Sequence, residues 1–522
     1  MTPGPMRPSC VTTLFSLGVA AGCAFAGCSD SSGGVAEAGR PEASVSGSSE
    51  TRDAAEARDA SSDAGAGSQD ATSSGVDALA AASAPTSVLV NAALTGRTHT
   101  SPSMVAGGVG HDVNAAFDDT DEDLTVHAVG WARSADDGAS FTDEGHFPDP
   151  PAGGVADNYG YPCVARDAII GSVYVAALGS APTVPNAIAF FVSSNAGVTF
   201  NPALNAADPN LSTADYIDFP AIAVDNSSGS TQGLVYVAYA DFVDGGGSSV
   251  KLRLSTYTNH AFAVTEVVSP ALESGGEASL PSVAVAPDGA VVIAYYAQAN
   301  ASGGPSVAVV RSSDQGQHFA APVTVAPLHM PIVAGSFNGS LGLEGTGVDA
   351  GASPIDAYSS PQLAANPVSG ALYLAYVDAT QDDRSNVYFV QSTDQGLSWS
   401  VPVRVNDDAM TNDQFLPALG VSLDGTRLAI DFYDRRDDAA NLSANRYGVT
   451  ADIKGSTVTF GSNFRVSSLP FPVRVGADPY LAPTYFSIRS SMAADSSYFY
   501  DAYADTLDGN LDVRVARYGI RY

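Results

Sequence analysis

The stretch SSDQGQHF, residues Ser312–Phe319, gathers a serine, an aspartate and a histidine around one glycine and closes on an aromatic residue. Taken alone, it has the ingredients of a catalytic loop. Three other stretches share its spacing: SADDGASF (Ser134–Phe141), SSNAGVTF (Ser193–Phe200) and STDQGLSW (Ser392–Trp399). The common pattern is Ser, any residue, Asp or Asn, any residue, Gly, two more residues and an aromatic. STYTNHAF (Ser255–Phe262) keeps the serine and the aromatic, and TADIKGSTVTF (Thr450–Phe460) is a lengthened version. His318 fills a position held by Ser140, Thr199 and Ser398 elsewhere, so the repeat does not require an imidazole. A Ser–His–Asp triad is defined by mutual geometry, not by nearness in sequence. The stretch therefore reads as a tight turn. Gly316 supplies a positive φ, Asp314 and Ser312 bond backbone N–H groups across the turn, and Phe319 begins the next strand.

Two further marks recur around it. Pro102, Pro162, Pro220, Pro281, Pro361, Pro417 and Pro483 each precede a short apolar segment, as in YGYPCVA, IDFPAIAV and QFLPALGV. Proline is tolerated at a strand start, where its missing N–H costs no ladder bond, so each is read as opening a strand. An alternating segment then ends in an aromatic followed closely by Asp, reaching Asp119, Asp241, Asp378, Asp434 and Asp505; two units depart, ending at Gly179 and Ala297. From this mark to the serine or threonine of the turn the spacing stays within 14 to 16 residues. Each unit thus reads as four antiparallel strands, the turn lying between the third and fourth. Four short strands repeated at roughly 60 residues form the pattern of a propeller blade.

The turn motif resembles the Asp-box, or BNR, repeat of the sialidase-like β-propeller superfamily. The matching positions are Ser134, Asp136, Gly138 and Phe141; Ser193, Asn195, Gly197 and Phe200; Ser312, Asp314, Gly316 and Phe319; and Ser392, Asp394, Gly396 and Trp399. The resemblance extends over nearly all of residues 87–522 and implies that these turns face away from the ligand site. The expected fold is all-β: one propeller of seven four-stranded blades, with six as the alternative count. The last unit runs out at Tyr522 before a fourth strand, and SVLVNAA (Ser87–Ala93) is a lone strand ahead of the first proline. It is expected to complete the last blade and close the ring, protecting sheet edges that would otherwise pair with other chains.

The chain has 522 residues, of which only 15% are charged, yet the net charge is −33. Phosphate binding needs clustered Lys and Arg, so nucleic acid is excluded as a partner. The acidic loops leave calcium as the one metal to consider, and no other cofactor is expected. Arg7 followed by the short apolar run Val11–Gly22 has the form of an export signal too short to span a bilayer. AAGC and AFAGC resemble bacterial lipoprotein cleavage sites, with Cys28 as the lipidated residue and Cys23 as the alternative. Residues 1–27 are read as the signal. Residues 28–86, rich in Ser, Ala, Gly and Asp, are read as a disordered tether. Residues 87–522 are the propeller. The expectation is an exported, lipid-anchored cell-envelope monomer that touches the membrane only through its anchor. Cys163 is the one cysteine of the body, so no disulfide framework arises there.

Function is sought on the face opposite the turns, because loops on a rigid scaffold commonly carry it. DFYDRRDDAANL (Asp431–Leu442) packs Tyr433, Asp434, Arg435 and Arg436 together, and paired arginines can grip a carboxylate. DATQDDRSN echoes it with Asp378 and Arg384, and LESGGEAS offers Glu273 and Glu277. Tyrosines at 159, 161, 216, 358 and 480 precede first strands and are placed to stack on sugars. The long Gly-rich segment Leu328–Tyr358 lies on the same face. The sialidases of the family use an arginine triad, a tyrosine nucleophile with its glutamate, and an Arg-Ile-Pro motif; here the first unit reads RTHTSPSM (Arg97–Met104) instead. Arg489 and nearby Tyr485 lack a supporting motif. The sequence reading is a binding module for glycans, extracellular polymers or proteins. The alternative is an exo-sialidase or another glycoside hydrolase of that superfamily.

Overall fold

The computed structural model describes residues 85–520, apart from 92–97, 108–110, 121–127, 149–156, 182–183, 247–248, 270–274, 301–303, 330–342, 347–351, 356, 381–382, 384 and 474–484. The signal, the tether, Cys23, Cys28, Glu273, Arg384 and Tyr480 lie outside the described residues. The described chain is all-β save one short 3-10 turn, Asp244–Gly246.

Pairing groups the strands into sequential antiparallel units of four. They span residues 99–146, 157–205, 216–268, 277–327, 362–404 and 414–460; the seventh joins 491–519 to the N-terminal strand Thr86–Leu89. Units three and four are joined into one sheet by a single parallel contact, Val250 with Glu277. Unit six carries two extra short strands, Phe464–Arg465 and Phe471–Pro472. The hairpin of Leu343–Thr346 with Ala352–Ile355 is the described part of the long segment between units four and five. Within each unit the second and third strands are almost wholly buried, for example Val235–Val243 and Leu372–Asp378. Apolar residues on both faces of these strands fit a sheet packed between two neighbours.

The N-terminal strand lies antiparallel to Asp512–Gly519, with Thr86 opposite Arg517 and Leu89 opposite Arg514. Asn91 extends the contact: its carbonyl oxygen accepts from Val513 N at 2.8 Å, and its amide donates to Asp512 Oδ1 at 3.0 Å. The first strand of each unit touches that of the next, and the first strand of unit seven, Ser491–Ala494, touches that of unit one, His99–Ala106.

The four repeated turns share one hydrogen-bond pattern. In SSDQGQHF, Ser312 Oγ donates to Asp314 Oδ1 at 2.8 Å and accepts from Gly316 N at 2.9 Å, while His318 N donates to Asp314 Oδ1 at 2.9 Å. The other copies repeat it around Asp136, Asn195 and Asp394. Gly316 has φ +78°, and Gln315 before it is also left-handed at 66°, a strain the sequence pattern did not reveal.

The prolines sit differently from the sequence reading. Pro102, Pro162, Pro220, Pro281 and Pro417 lie inside their first strands, not at the start. The residue before each one, Ser101, Tyr161, Phe219, Leu280 and Leu416, has φ between 46° and 55°. Strand register slips at each point, so every one marks a β-bulge. A bulge leaves one residue unpaired, which is where a missing N–H does no harm.

Between units six and seven, Arg446 and Asp501 form a fully buried bidentate pair, with both contacts at 2.7 Å. Arg446 also donates to Leu416 O at 3.1 Å and lies 4.7 Å above the Tyr433 ring. Removing one partner strands a buried charge. Arg446→Met is expected to lower unfolding free energy by about 3–5 kcal/mol in urea titration. A Cβ at Gly316 would sit 2.5 Å from Leu254 Cδ2 on a left-handed backbone. Gly316→Ala is therefore expected to cost at least about 1 kcal/mol by the same measurement.

Candidate functional site

The bulges bring side chains of different units together at the centre of the molecule. Tyr161 stacks on Phe219 at 6.2 Å and on Tyr485 at 6.0 Å, and Phe219 meets Tyr358 at 5.8 Å. Ser101, at the bulge of unit one, shares a 2.6 Å hydrogen bond with the Tyr485 hydroxyl. Tyr485 in turn donates to Asp118 Oδ2 at 2.5 Å, and Tyr161 N donates to Asp118 Oδ1 at 2.6 Å. Gly160 permits this approach, because a Cβ there would lie 2.8 Å from Asp118 Oδ1.

A second carboxyl, Asp218, precedes the bulge of unit three and accepts from Phe219 N at 2.7 Å. It is half-buried, as are Tyr161, Tyr485 and Arg489. Arg489 reaches across from unit seven, donating to Pro162 O at 3.3 Å and Pro220 O at 2.8 Å. Burial pushes both Asp118 and Asp218 up to about 7 from an ordinary 3.8. The charge of Asp118 raises Asp218 further, while Arg489 pulls both down. Burial also lifts the Tyr485 phenol well above its usual value, with Asp118 adding to it. Cys163 lies nearby but is buried, its thiol pushed up to about 11 by burial and donating to Ala176 O, which suits a packing residue. The site thus combines the half-buried rings of Tyr161 and Tyr485, the buried rings of Phe219 and Tyr358, two carboxyls raised by burial to about 7 and one guanidinium, a concentration of shifted groups typical of functional sites.

Most residues singled out from the sequence are engaged elsewhere. Tyr433 is fully buried, donating to Ala504 O at 2.8 Å and accepting from Ala504 N at 2.9 Å. Arg435, also buried, pairs with Asp413 at 3.1 Å and lies over Phe415. Arg436 holds Asp434 at 2.7 Å, Asp407 at 2.6 Å and Asn463 at 2.7 Å. The two arginines point to different partners and form no common grip. Asp378 accepts from His329 N and Nδ1 at 2.7 and 2.9 Å. Glu277 opens the first strand of unit four, is buried, and accepts from Ser279 Oγ. Of the tyrosines, Tyr161 and Tyr358 join the central cluster, and Tyr216 stacks on Phe242 at 4.3 Å beside it. His318 lines a groove of about 310 Å³ between the turns of units four and five. Its ring is already engaged with Asp314 at 2.6 Å.

Sequence reading passed over Asp118 and Asp218. Their signal was a departure from the repeat: the doubled acid of AAFDD, and an acid in IDFP where other units carry Thr, Gly, Ser or Phe. Among the described residues, no group of three His, Cys, Asp or Glu side chains could hold a metal ion.

No family model matches the chain, and no curated protein sequence matches it. Solved structures do resemble it. An α-L-arabinanase of Penicillium chrysogenum complexed with arabinobiose is 13% identical over 67% of this chain and 94% of that one, with a TM-score of 0.43. A protein of unknown function from Dyadobacter fermentans is 12% identical over 83% and 98%, with a TM-score of 0.43. A GH93 α-L-arabinofuranosidase of Fusarium graminearum, with arabinobiose, is 11% identical over 84% and 97%, with a TM-score of 0.45.

The raised carboxyls make stability depend on pH. Folded Asp118 and Asp218 keep their protons up to about 7, whereas the unfolded chain releases them near 3.8. Their contribution is fully present below the lower value and is lost as pH rises through the higher one. Unfolding free energy is expected to fall across that window, and Asp118→Asn or Asp218→Asn is expected to flatten the fall. An unchanged slope in both variants would show that these carboxyls are ionised throughout.

Proposed function

We propose that this chain is a saccharide-binding propeller whose ligand seats on the central cluster of Tyr161, Phe219, Tyr485, Asp118, Asp218 and Arg489. One observation carries the reading. The stacked, half-buried rings of Tyr161 and Tyr485, backed by buried Phe219, stand beside carboxyls and a guanidinium, and sugars are recognised by apolar ring faces together with a few fixed polar groups. Seven blades, closed by the strand Thr86–Leu89 lying on the last unit, belong to the same proposal. So does membership of the sialidase-like superfamily, supported by the shared hydrogen bonding of the four repeated turns. The protein is further proposed to be exported as a monomer, with Cys28 lipidated or, failing that, Cys23.

A second reading rests on the carboxyl pair. Glycoside hydrolysis uses two carboxyl groups, one of them protonated near neutrality. Asp218, half-buried and lacking the tyrosine partner of Asp118, has the position of a proton donor.

The test is an oligosaccharide array followed by calorimetry on the best binder. Tyr161→Ala is expected to weaken binding by about tenfold, the scale of a lost aromatic contact. Arg436→Gln should leave binding unchanged. No oligosaccharide binding, or binding indifferent to Tyr161, would remove the proposal. Release of an aryl glycoside that disappears in Asp218→Asn would select hydrolysis instead.

A further inference from the structure

A cavity of about 410 Å³ lies at the centre of the molecule, lined by residues from the first strands of units one to six and by the unit-seven segment 489–493. Arg489 lines it, so the guanidinium beside the proposed ligand site also borders this second space. Arg166, the last residue of the strand Asp157–Arg166, lines it too. None of the described lining residues is an aspartate or a glutamate. Two cations thus face a cavity with no carboxylate among its described lining, in a chain of net charge −33.

The hydrogen bonding sharpens this imbalance. Arg166 is 8% exposed, and its Nε and Nη1 have no hydrogen-bond partner among the described residues. Asp112 acts on it only at a distance and lies 3.5 Å from Arg133 instead. Arg489 donates to backbone carbonyls and forms no ion pair among the described residues. The serines of the lining add donors. Ser103 Oγ accepts from Val164 N at 3.0 Å, Ser282 Oγ accepts from Leu363 N at 3.0 Å, and Ser491 Oγ accepts from Met104 N at 3.1 Å. Each bond ties one unit to the next and uses the oxygen, leaving the hydroxyl proton uncommitted by any hydrogen bond among the described residues. A buried donor without an acceptor costs on the order of 1–3 kcal/mol, and more when it is charged. Such groups are normally satisfied by a partner or an ion.

We propose that this cavity is an anion site, binding a small oxyanion of the phosphate or carboxylate kind through Arg166, with the serine hydroxyls as further donors and Arg489 adding charge from the other side. Oxyanions suit the site because a guanidinium meets them with charge-assisted, paired hydrogen bonds. The site shares Arg489 with the proposed saccharide cluster but takes its main contact from Arg166, which that cluster does not include, so its occupancy does not depend on that reading. Its occupant would stabilise the fold by mass action.

The experiment is a titration of the full chain with inorganic phosphate at constant ionic strength held by sodium chloride, followed by calorimetry and thermal unfolding. One saturable site and a rise in Tm are expected. Arg166→Gln should weaken phosphate binding by about tenfold or more, the scale of a lost charged hydrogen bond. Arg311→Gln, on an exposed pair with Asp288, should leave it intact. A water molecule in place of the anion would satisfy the hydrogen bonds without the charge, and phosphate would then have no saturable effect. That result in the unmodified chain overturns the proposal whether or not the variant folds. Binding undiminished in a folded Arg166→Gln protein overturns it equally.

Discussion

The architecture at the axis depends on one backbone constraint, the left-handed residue ahead of a proline in five first strands. A side chain at positive φ is held at a cost of order 1–3 kcal/mol, and proline restricts its predecessor further. Here the strain recurs at Ser101, Tyr161, Phe219, Leu280 and Leu416. It persists because regular pairing resumes on both sides of each slip, as between Ser103 and Ala116 or Ala221 and Ala238. The effect is to change which residues face the centre, since one extra residue reverses the alternation of a strand. Ser101, Tyr161 and Phe219 come from three units and meet a single partner region around Tyr485 because of it.

Charge is distributed by the same scaffold. Buried acids recur in the strands, and the buried cations are placed individually against them. Arg446 is neutralised by Asp501, and Asp431 beside them is raised well above the usual carboxylate range by burial and by the charge of Asp501. The Tyr518 hydroxyl, which donates to Asp431 at 2.7 Å, acts in the opposite sense and draws it back down. That cluster ties unit six to unit seven through the Arg446–Asp501 pair and the Tyr518–Asp431 bond. Arg489 has no such partner. It stands between two carboxyls pushed up to about 7 by burial on one side and a cavity bordered by Arg166 on the other.

The repeat was legible in the sequence because it rests on local chemistry. A glycine, a short polar side chain and an aromatic at fixed offsets dictate a turn wherever they occur. The lone strand ahead of the first proline was legible as the partner of the last unit for a related reason: an unfinished edge needs one. The bulges were not legible. Alternation of apolar residues survives a single insertion, so a proline inside a strand looks like a proline at its start. The site was read from adjacency, which favoured Arg435 and Arg436. Both lie in the loop just past the strand Arg427–Asp434, and each is drawn to its own acid, Arg435 to Asp413 and Arg436 to Asp434. Asp118 and Tyr485 are 367 positions apart, and no local pattern announces their contact.

Symmetry separates the groups that build the scaffold from those free to do something else. Asp119, Asp241, Asp378, Asp434 and Asp505 occupy one position of the repeat. Each is matched by a base: His99, Arg253, His329, Arg436 and Arg514, at 2.7 to 3.4 Å. A role repeated five times belongs to the fold. One residue earlier, Ala240, Val377, Tyr433 and Ala504 stand where unit one has Asp118. Ahead of the bulge, Thr100, Gly160, Ser279 and Phe415 stand where unit three has Asp218. No scaffold requirement asks for an acid at either place, since the other units close without one. Burial pushes each carboxyl up to about 7, a standing cost that the repeat itself does not demand. Of the two acids that break the repeat, Asp118 raises Asp218, and Arg489 acts on both; that coincidence of singular residues is what distinguishes a site from a well-built wall.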